Sequence, residues 1–236
     1  MLKVLVMASG GATSGRYLFD NNPGTYEIAG VVLSKNSASG IEHFENRGFL
    51  KGKNLFVCDV YDFYKSKGKN SLKDSQTRIE YEASIEDAIK DVSFDVIALS
   101  GYMLRMFTIH NKYNTLNVHP ADLRIINDKC ERKYTGDNAV TCAIRAGEKE
   151  TRSSIHLVTD EVDGGPLIVV SDSVKVPSWN NSNLETIANN VQEEMKIKCD
   201  NPAYMWTIQN LANENLKIEN KVIYYKNKIL QSPIIL

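Results

Sequence analysis

Several features that would narrow the class of this chain at once are scarce or missing. Its 236 residues hold four cysteines, Cys58, Cys130, Cys142 and Cys199, far apart and with no C-x-x-C pair. That spacing argues against a disulfide framework or a zinc site, and a reducing cytoplasm fits it. An excess of one charge is missing too. The formal net charge is −1, which gives no overall pull toward nucleic acid or an anionic membrane. No run of about 18 apolar residues occurs, so no transmembrane helix is expected. The opening run Met1 to Met7 is too short for a signal peptide and leads straight into glycines. Internal repeats and low-complexity blocks are absent.

What is there is ordinary for a chain that buries a core. Hydrophobic residues make up 42% and charged residues 24%, enough for one α/β domain with a small C-terminal appendage. Lys3 to Met7, Tyr26 to Leu33, Asn54 to Cys58 and Phe94 to Leu99 read as strands. Between them, Arg16 to Phe19, Gly40 to Arg47 and Ile79 to Ile89 read as helices, and lysine-rich Lys65 to Thr77 as an exposed loop. Such alternation with near-continuous apolar strands predicts a Rossmann-like, mostly parallel sheet with helices on both faces. Asn138 to Gly147 predicts a helix closed by its glycine. Ser153 to Thr159 and Leu167 to Val176 predict antiparallel neighbours. Leu184 to Lys198 and Pro202 to Ala212 predict two more helices, and Leu216 to Ile218 with Val222 to Tyr225 two short strands. Residues 1–201 are read as one domain and 202–236 as an extension packed on it or at an oligomer contact.

Ligands of parallel sheets gather at the carboxyl ends of strands. Ser9, Gly10, Gly11, Ala12, Thr13 and Ser14 follow the first strand, where freed backbone N–H groups could cradle a phosphate. The loop is neither a Walker A nor a G-x-G-x-x-G motif, and it reads equally as a plain tight turn. Asn117 and His119 alternate by two, so along a strand end they point the same way. An amide and an imidazolium could then face the oxygen of a carbonyl under attack. Asp163, ahead of Gly164-Gly165-Pro166, could bond that imidazole, raise its pKa and accept a proton, or simply bond its own turn. His156 and Ser154 share one strand face and read as supports behind these groups. No metal-ligand spacing appears, and without G-x-S-x-G a serine hydrolase is not expected.

Taken in order, Ser9-Gly10, Ser100-Gly101-Tyr102-Met103, Asn117-Val118-His119-Pro120, Ser154 to Pro166 and Val191-Gln192 resemble the folate-dependent formyltransferase family. The resemblance covers roughly Met1 to Glu194. It implies that Asn117, His119 and Asp163 are catalytic and that 10-formyltetrahydrofolate is the formyl donor. Tyr102, Met103, Leu104 and Met106, with Val158, Thr159, Asp160 and Glu161, would hold the folate. The partners are then small molecules, a reduced folate and a phosphorylated amine, with no nucleic acid or membrane, in a monomer or homodimer. Glycinamide ribonucleotide is the acceptor the resemblance favours. An amino-sugar nucleotide is the alternative, and a noncatalytic folate- or nucleotide-binding regulator lies outside the enzymes. The chain departs from the family in Ala121-Asp122-Leu123-Arg124, in an apparent insertion through Glu131, and in Lys133-Tyr134-Thr135-Gly136.

Overall fold

A computed structural model describes every residue from Met1 to Leu236, in two compact units, Met1–Leu116 and Asn117–Leu236. The first unit runs β1 (Leu2–Ala8), α1 (Thr13–Asp20), β2 (Tyr26–Leu33), α2 (Gly40–Glu45), β3 (Leu55–Val57), α3 (Val60–Ser66), α4 (Ser75–Ala88), β4 (Val96–Leu99) and α5 (Ile109–Lys112). Its strands are all parallel, in the order β4-β1-β2-β3. Val4 to Ala8 and Val31 to Leu33 are buried at every position. Successive strand residues point to opposite faces, so both faces of these strands are covered. Each Val or Leu buried in this way stabilises the unit by about 1.5–3 kcal/mol.

Helix α1 lies close against β1 because residue 15 is glycine. A Cβ there would stand 2.6 Å from Val6 Cγ1, so any side chain would push the helix off the strand. The loop joining the two is therefore held short and tight. One expectation fails in this unit. Lys65 to Thr77 is not all open loop, for α3 and α4 occupy both its ends. The Asp59 side chain accepts from the amides of Tyr61 and Asp62, and that of Asp74 accepts from Thr77. Each aspartate satisfies helix-start donors that would otherwise need water.

Strand β5 (Thr115–His119) carries the chain into the second unit. There follow α6 (Ala139–Arg145), β6 (Glu150–Thr151), β7 (Ser154–Leu157), β8 (Leu167–Val170), β9 (Val174–Lys175), α7 (Leu184–Met195), a π-helical turn (Lys196–Asp200), α8 (Asn201–Ala212), β10 (Leu216–Glu219), β11 (Val222–Tyr225), β12 (Lys228–Ile229) and β13 (Ile234–Ile235). β7 and β8 pair antiparallel, as expected, and β13 runs parallel along β8. Leu167 to Val176 is not one strand. Ser171 interrupts it, exchanging bonds with Ser153, and β9 pairs with β6 instead. Nor does a helix stop at Lys198, because α7 passes through the π-helical turn into α8. The widened turn admits Pro202, whose ring would clash with a carbonyl in an uninterrupted α-helix. The tail is ordered by its own pairing, β10-β11-β12 forming an antiparallel meander. The architecture is α/β, with a mostly parallel sheet, helices around it and antiparallel strands toward the C-terminus. No helix is long and apolar enough to cross a membrane.

Candidate active site

Asn117 and His119 stand on β5, and Asp163 on the loop between β7 and β8. The second unit brings all three together and adds His156. Asp163 lies between two imidazoles. His119 Nδ1 is 3.4 Å from its Oδ2, and His156 Nε2 is 3.4 Å from its Oδ1. The Asn117 amide nitrogen is 3.2 Å from the same His156 Nε2. His119, His156 and Asp163 are all buried.

Backbone carbonyls fix the tautomers. Tyr134 O is 2.8 Å from His119 Nε2, and Leu157 O is 3.1 Å from His156 Nδ1. A carbonyl only accepts, so those nitrogens carry the protons. With its Nδ1 on the Leu157 carbonyl, His156 accepts at Nε2 from the Asn117 amide, a contact that uses one of the two amide N–H groups and leaves the other. Neutral His119 turns the lone pair of Nδ1 toward the Asp163 carboxylate. Two acceptors facing each other over 3.4 Å are a ready place for one proton.

The ionisation of the pair differs from the sequence expectation. Burial pushes the His119 imidazole below its usual value, and the Asp163 carboxylate and Tyr134 carbonyl, which pull it up, do not compensate. His119 is therefore a neutral imidazole at neutral pH and not an imidazolium. Burial would also raise Asp163, but the neighbouring His156, the charge of His119 and the Gly136 amide outweigh it and hold the carboxyl at about 2. A neutral His119 cannot lend its charge. At neutral pH the carboxylate rests mainly on the Gly136 N–H, which donates to Oδ2 at 2.8 Å.

The loop holding Asp163 is strained. Asp163 adopts φ 52, a left-handed conformation unfavourable for a residue with a Cβ. At Gly165 a Cβ would lie 1.8 Å from the Leu157 carbonyl oxygen, so only glycine lets the chain pass. Arg132 spans the loop, donating to the carbonyls of Asp163 and Gly165, the latter at 2.7 Å. Ser154 is buried away from these groups. Its hydroxyl donates to the Ala121 carbonyl at 2.8 Å and accepts from the Leu123 amide at 3.0 Å, fixing the chain just after His119.

The remaining candidates fall on both units. In the first, Ser9 is a buried tie rather than an open donor. Its Oγ receives the Met103 amide at 3.0 Å and the Ser34 hydroxyl at 2.8 Å. Gly10, Gly11 and Thr13 are partly exposed, while Ala12 and Ser14 are buried. Ala12 starts α1 in the left-handed region without a side-chain cap, and the Gly15 amide is taken by Ser100 Oγ at 3.0 Å. Tyr102 turns its phenol inward beside Tyr81, and burial raises its pKa. Met106 is buried, Leu104 partly so, and Met103 exposed. In the second unit Val158 and Thr159 are partly exposed and Asp160 and Glu161 exposed.

Sequence reading missed Arg132, the Tyr134 carbonyl and the Gly136 amide, and gave His156 only a supporting part. The second histidine, on the strand that leads into the Asp163 loop, was the one available signal. A backbone carbonyl leaves no trace in residue type.

Comparison with known proteins gives the family. Residues 2–198 match the family model described as formyl transferase. Phosphoribosylglycinamide formyltransferase of Haemophilus influenzae is 26% identical, over 98% of this chain and 96% of that protein. The Escherichia coli protein of the same name is 24% identical, over 94% and 93%. In fold, the phosphoribosylglycinamide formyltransferase of Coxiella burnetii superposes with a TM-score of 0.72 at 22% identity, covering 99% of each chain. With most of its length matched and a carboxylate set between two histidines beside an asparagine, this chain belongs to the formyl transferase family.

Proposed function

We propose that the protein moves the formyl group of 10-formyltetrahydrofolate onto the amine of glycinamide ribonucleotide, a step of purine biosynthesis. One observation carries the reading: a buried carboxylate between two imidazoles, with an amide at hand, on a chain matched to the family over residues 2–198. The near full-length likeness to two proteins named for that reaction supports the acceptor.

In this reading the acceptor amine attacks the formyl carbon, a C–N bond forms and the carbonyl oxygen becomes an oxyanion. Asn117 meets it with the amide N–H that His156 leaves unused. A donor of this kind is worth about 3 kcal/mol. His119 acts through its base form, since both its nitrogens are engaged. The proton shed by the amine enters the gap between His119 Nδ1 and Asp163 Oδ2 and turns facing acceptors into an ion pair. A lowered imidazole pKa suits this role, because the base must be free at working pH. The intermediate then expels the folate nitrogen, which leaves with the bond pair and takes the proton back from the His119–Asp163 pair, restoring the facing acceptors. His156, fixed by the Leu157 carbonyl, holds Asn117 and Asp163 in register.

Gly10 to Ser14 are the residues we assign to the acceptor phosphate. Tyr102 to Met106 and Val158 to Glu161 are assigned to the folate, with Tyr102 contributing its backbone. Residues 1–201 form the catalytic domain in this scheme and 202–236 an extension packed on it, a division supported by a family match that ends at residue 198. Four unbridged cysteines suit a reducing cytoplasm.

The test is a panel of amines incubated with the protein and 10-formyltetrahydrofolate, with His119→Ala beside the wild type. Formylation of glycinamide ribonucleotide by the wild type alone is expected. Transfer only to an amino-sugar nucleotide would overturn the acceptor. Equal turnover by both proteins would overturn the site.

A further inference from the structure

The stretch absent from the family pattern, Arg124 to Arg132, ends at the most demanding piece of backbone in the second unit. It is folded and not a loose loop. Asn127 N donates to Glu131 O at 2.8 Å, Asn127 Oδ1 takes the amides of Lys129 and Glu131, and Lys133 N donates to Ile125 O at 2.9 Å. Ile126 and Arg132 form an antiparallel bridge. This hairpin delivers the residues that follow to three separate points. The Arg132 guanidinium reaches the carbonyls of Asp163 and Gly165. The Tyr134 carbonyl receives His119 Nε2–H. The Gly136 amide meets Asp163 Oδ2. Tyr134 anchors the segment, its ring buried with Ala121, Ala139 and Ala143 and its hydroxyl donating to Glu148 Oε1 at 2.6 Å.

Asp163 needs such support. Its left-handed backbone persists only where surroundings over-determine it. Two carbonyls turned toward one side by the tight passage at Gly165 would otherwise stand without these donors. A guanidinium presents several N–H groups in a rigid plane and serves two carbonyls at once, which an ammonium on a flexible stem does not. The acidic groups facing Arg132 are Glu161 and Asp163 itself, both on the same loop.

We propose that Arg132 is a positioning residue for formyl transfer: held by the 125–133 hairpin, it fixes the 163–165 backbone so that the Asp163 carboxylate stands opposite His119. The inference rests on reading that pair as the proton acceptor of the reaction. It makes the insertion part of the catalytic apparatus, acting through Asp163 without touching substrate.

The experiment uses the full chain with Arg132→Ala, Arg132→Lys and, as the reference for the underlying reading, Asp163→Asn. Initial rates give kcat and both KM values, with and without millimolar guanidinium chloride. Misplacing a reacting group by an ångström costs up to about 100-fold. A fall in kcat of about 10- to 100-fold is expected in both Arg132 variants, with each KM within about threefold. Added guanidinium raises kcat of Arg132→Ala and leaves that of Arg132→Lys unchanged. A merely structural role would not respond to guanidinium at concentrations that leave the melting temperature unmoved. Wild-type kcat in Arg132→Lys overturns the need for the planar fork. A raised KM with intact kcat overturns positioning in favour of substrate contact. Should Arg132→Ala not fold, Arg132→Lys decides alone. If Asp163→Asn keeps wild-type turnover, the reading of the pair has failed; if only the Arg132 variants do, this inference has.

Discussion

Replacing Asp163 by Asn separates the folding role of this carboxylate from its chemical one. The native carboxyl is held at about 2 against an ordinary value of 3.8. The difference of nearly two pH units corresponds to at most about 2.5 kcal/mol of stabilisation. Because the folded value is depressed, that stabilisation is present above the unfolded value near 3.8 and lost as pH falls through about 2. Part of it draws on charged histidines, so at neutral pH the asparagine variant should lose about 1–2 kcal/mol. The Asn oxygen can still accept the Gly136 N–H, which limits the damage to the loop. Catalysis should fall much further, by about 100- to 10,000-fold, since the amide cannot share the proton with His119. Urea titration at pH 7 and at pH 2 measures the first quantity, and formyl-transfer rates at saturating substrates the second. The stability gap should narrow at the lower pH. Turnover near wild type, or a gap at pH 2 no smaller than at pH 7, would refute the argument.

Asp200 should behave in the opposite sense. It is buried, bonds only Ser153 Oγ among the side chains that donate to it, and is pushed up to about 6 by burial. A raised carboxyl favours the proton-bound native state, so stability falls as pH rises from about 4 to about 6. Asp200→Asn should therefore stabilise the protein at pH 7, by up to about 3 kcal/mol in urea titration, and do nothing below pH 4. A destabilised variant would show that the charge is wanted there. For His119, burial lowers the imidazole pKa, so the acid limb of kcat/KM should lie below the usual histidine value of about 6.5. An acid limb above that value would mean that the Asp163 charge prevails over burial.

Part of the candidate site was legible because it is written in side-chain types and local pattern. Asn117 and His119 alternate along a strand, and Asp163 precedes a glycine pair that must turn. The parallel sheet was legible for a similar reason, since strands covered on both faces read as unbroken apolar runs. Helix α3 was not legible: it is short and runs into a lysine-rich stretch that reads as loop, and its Asp59 cap shows only in the fold. The π-helical turn was missed because the strain of Pro202 is relieved by backbone geometry that no residue type announces. What the order of residues determined by itself, then, was the class of fold, a consequence of periodicity, and, through a resemblance of motifs, the family and three groups of the candidate site. Tertiary structure alone decided that His119 rests as a neutral base, that His156 joins Asn117 to Asp163, and that Arg132 reaches across to the Asp163 loop. Those depend on desolvation and on contacts between residues distant in the chain, and neither exists until the chain has folded.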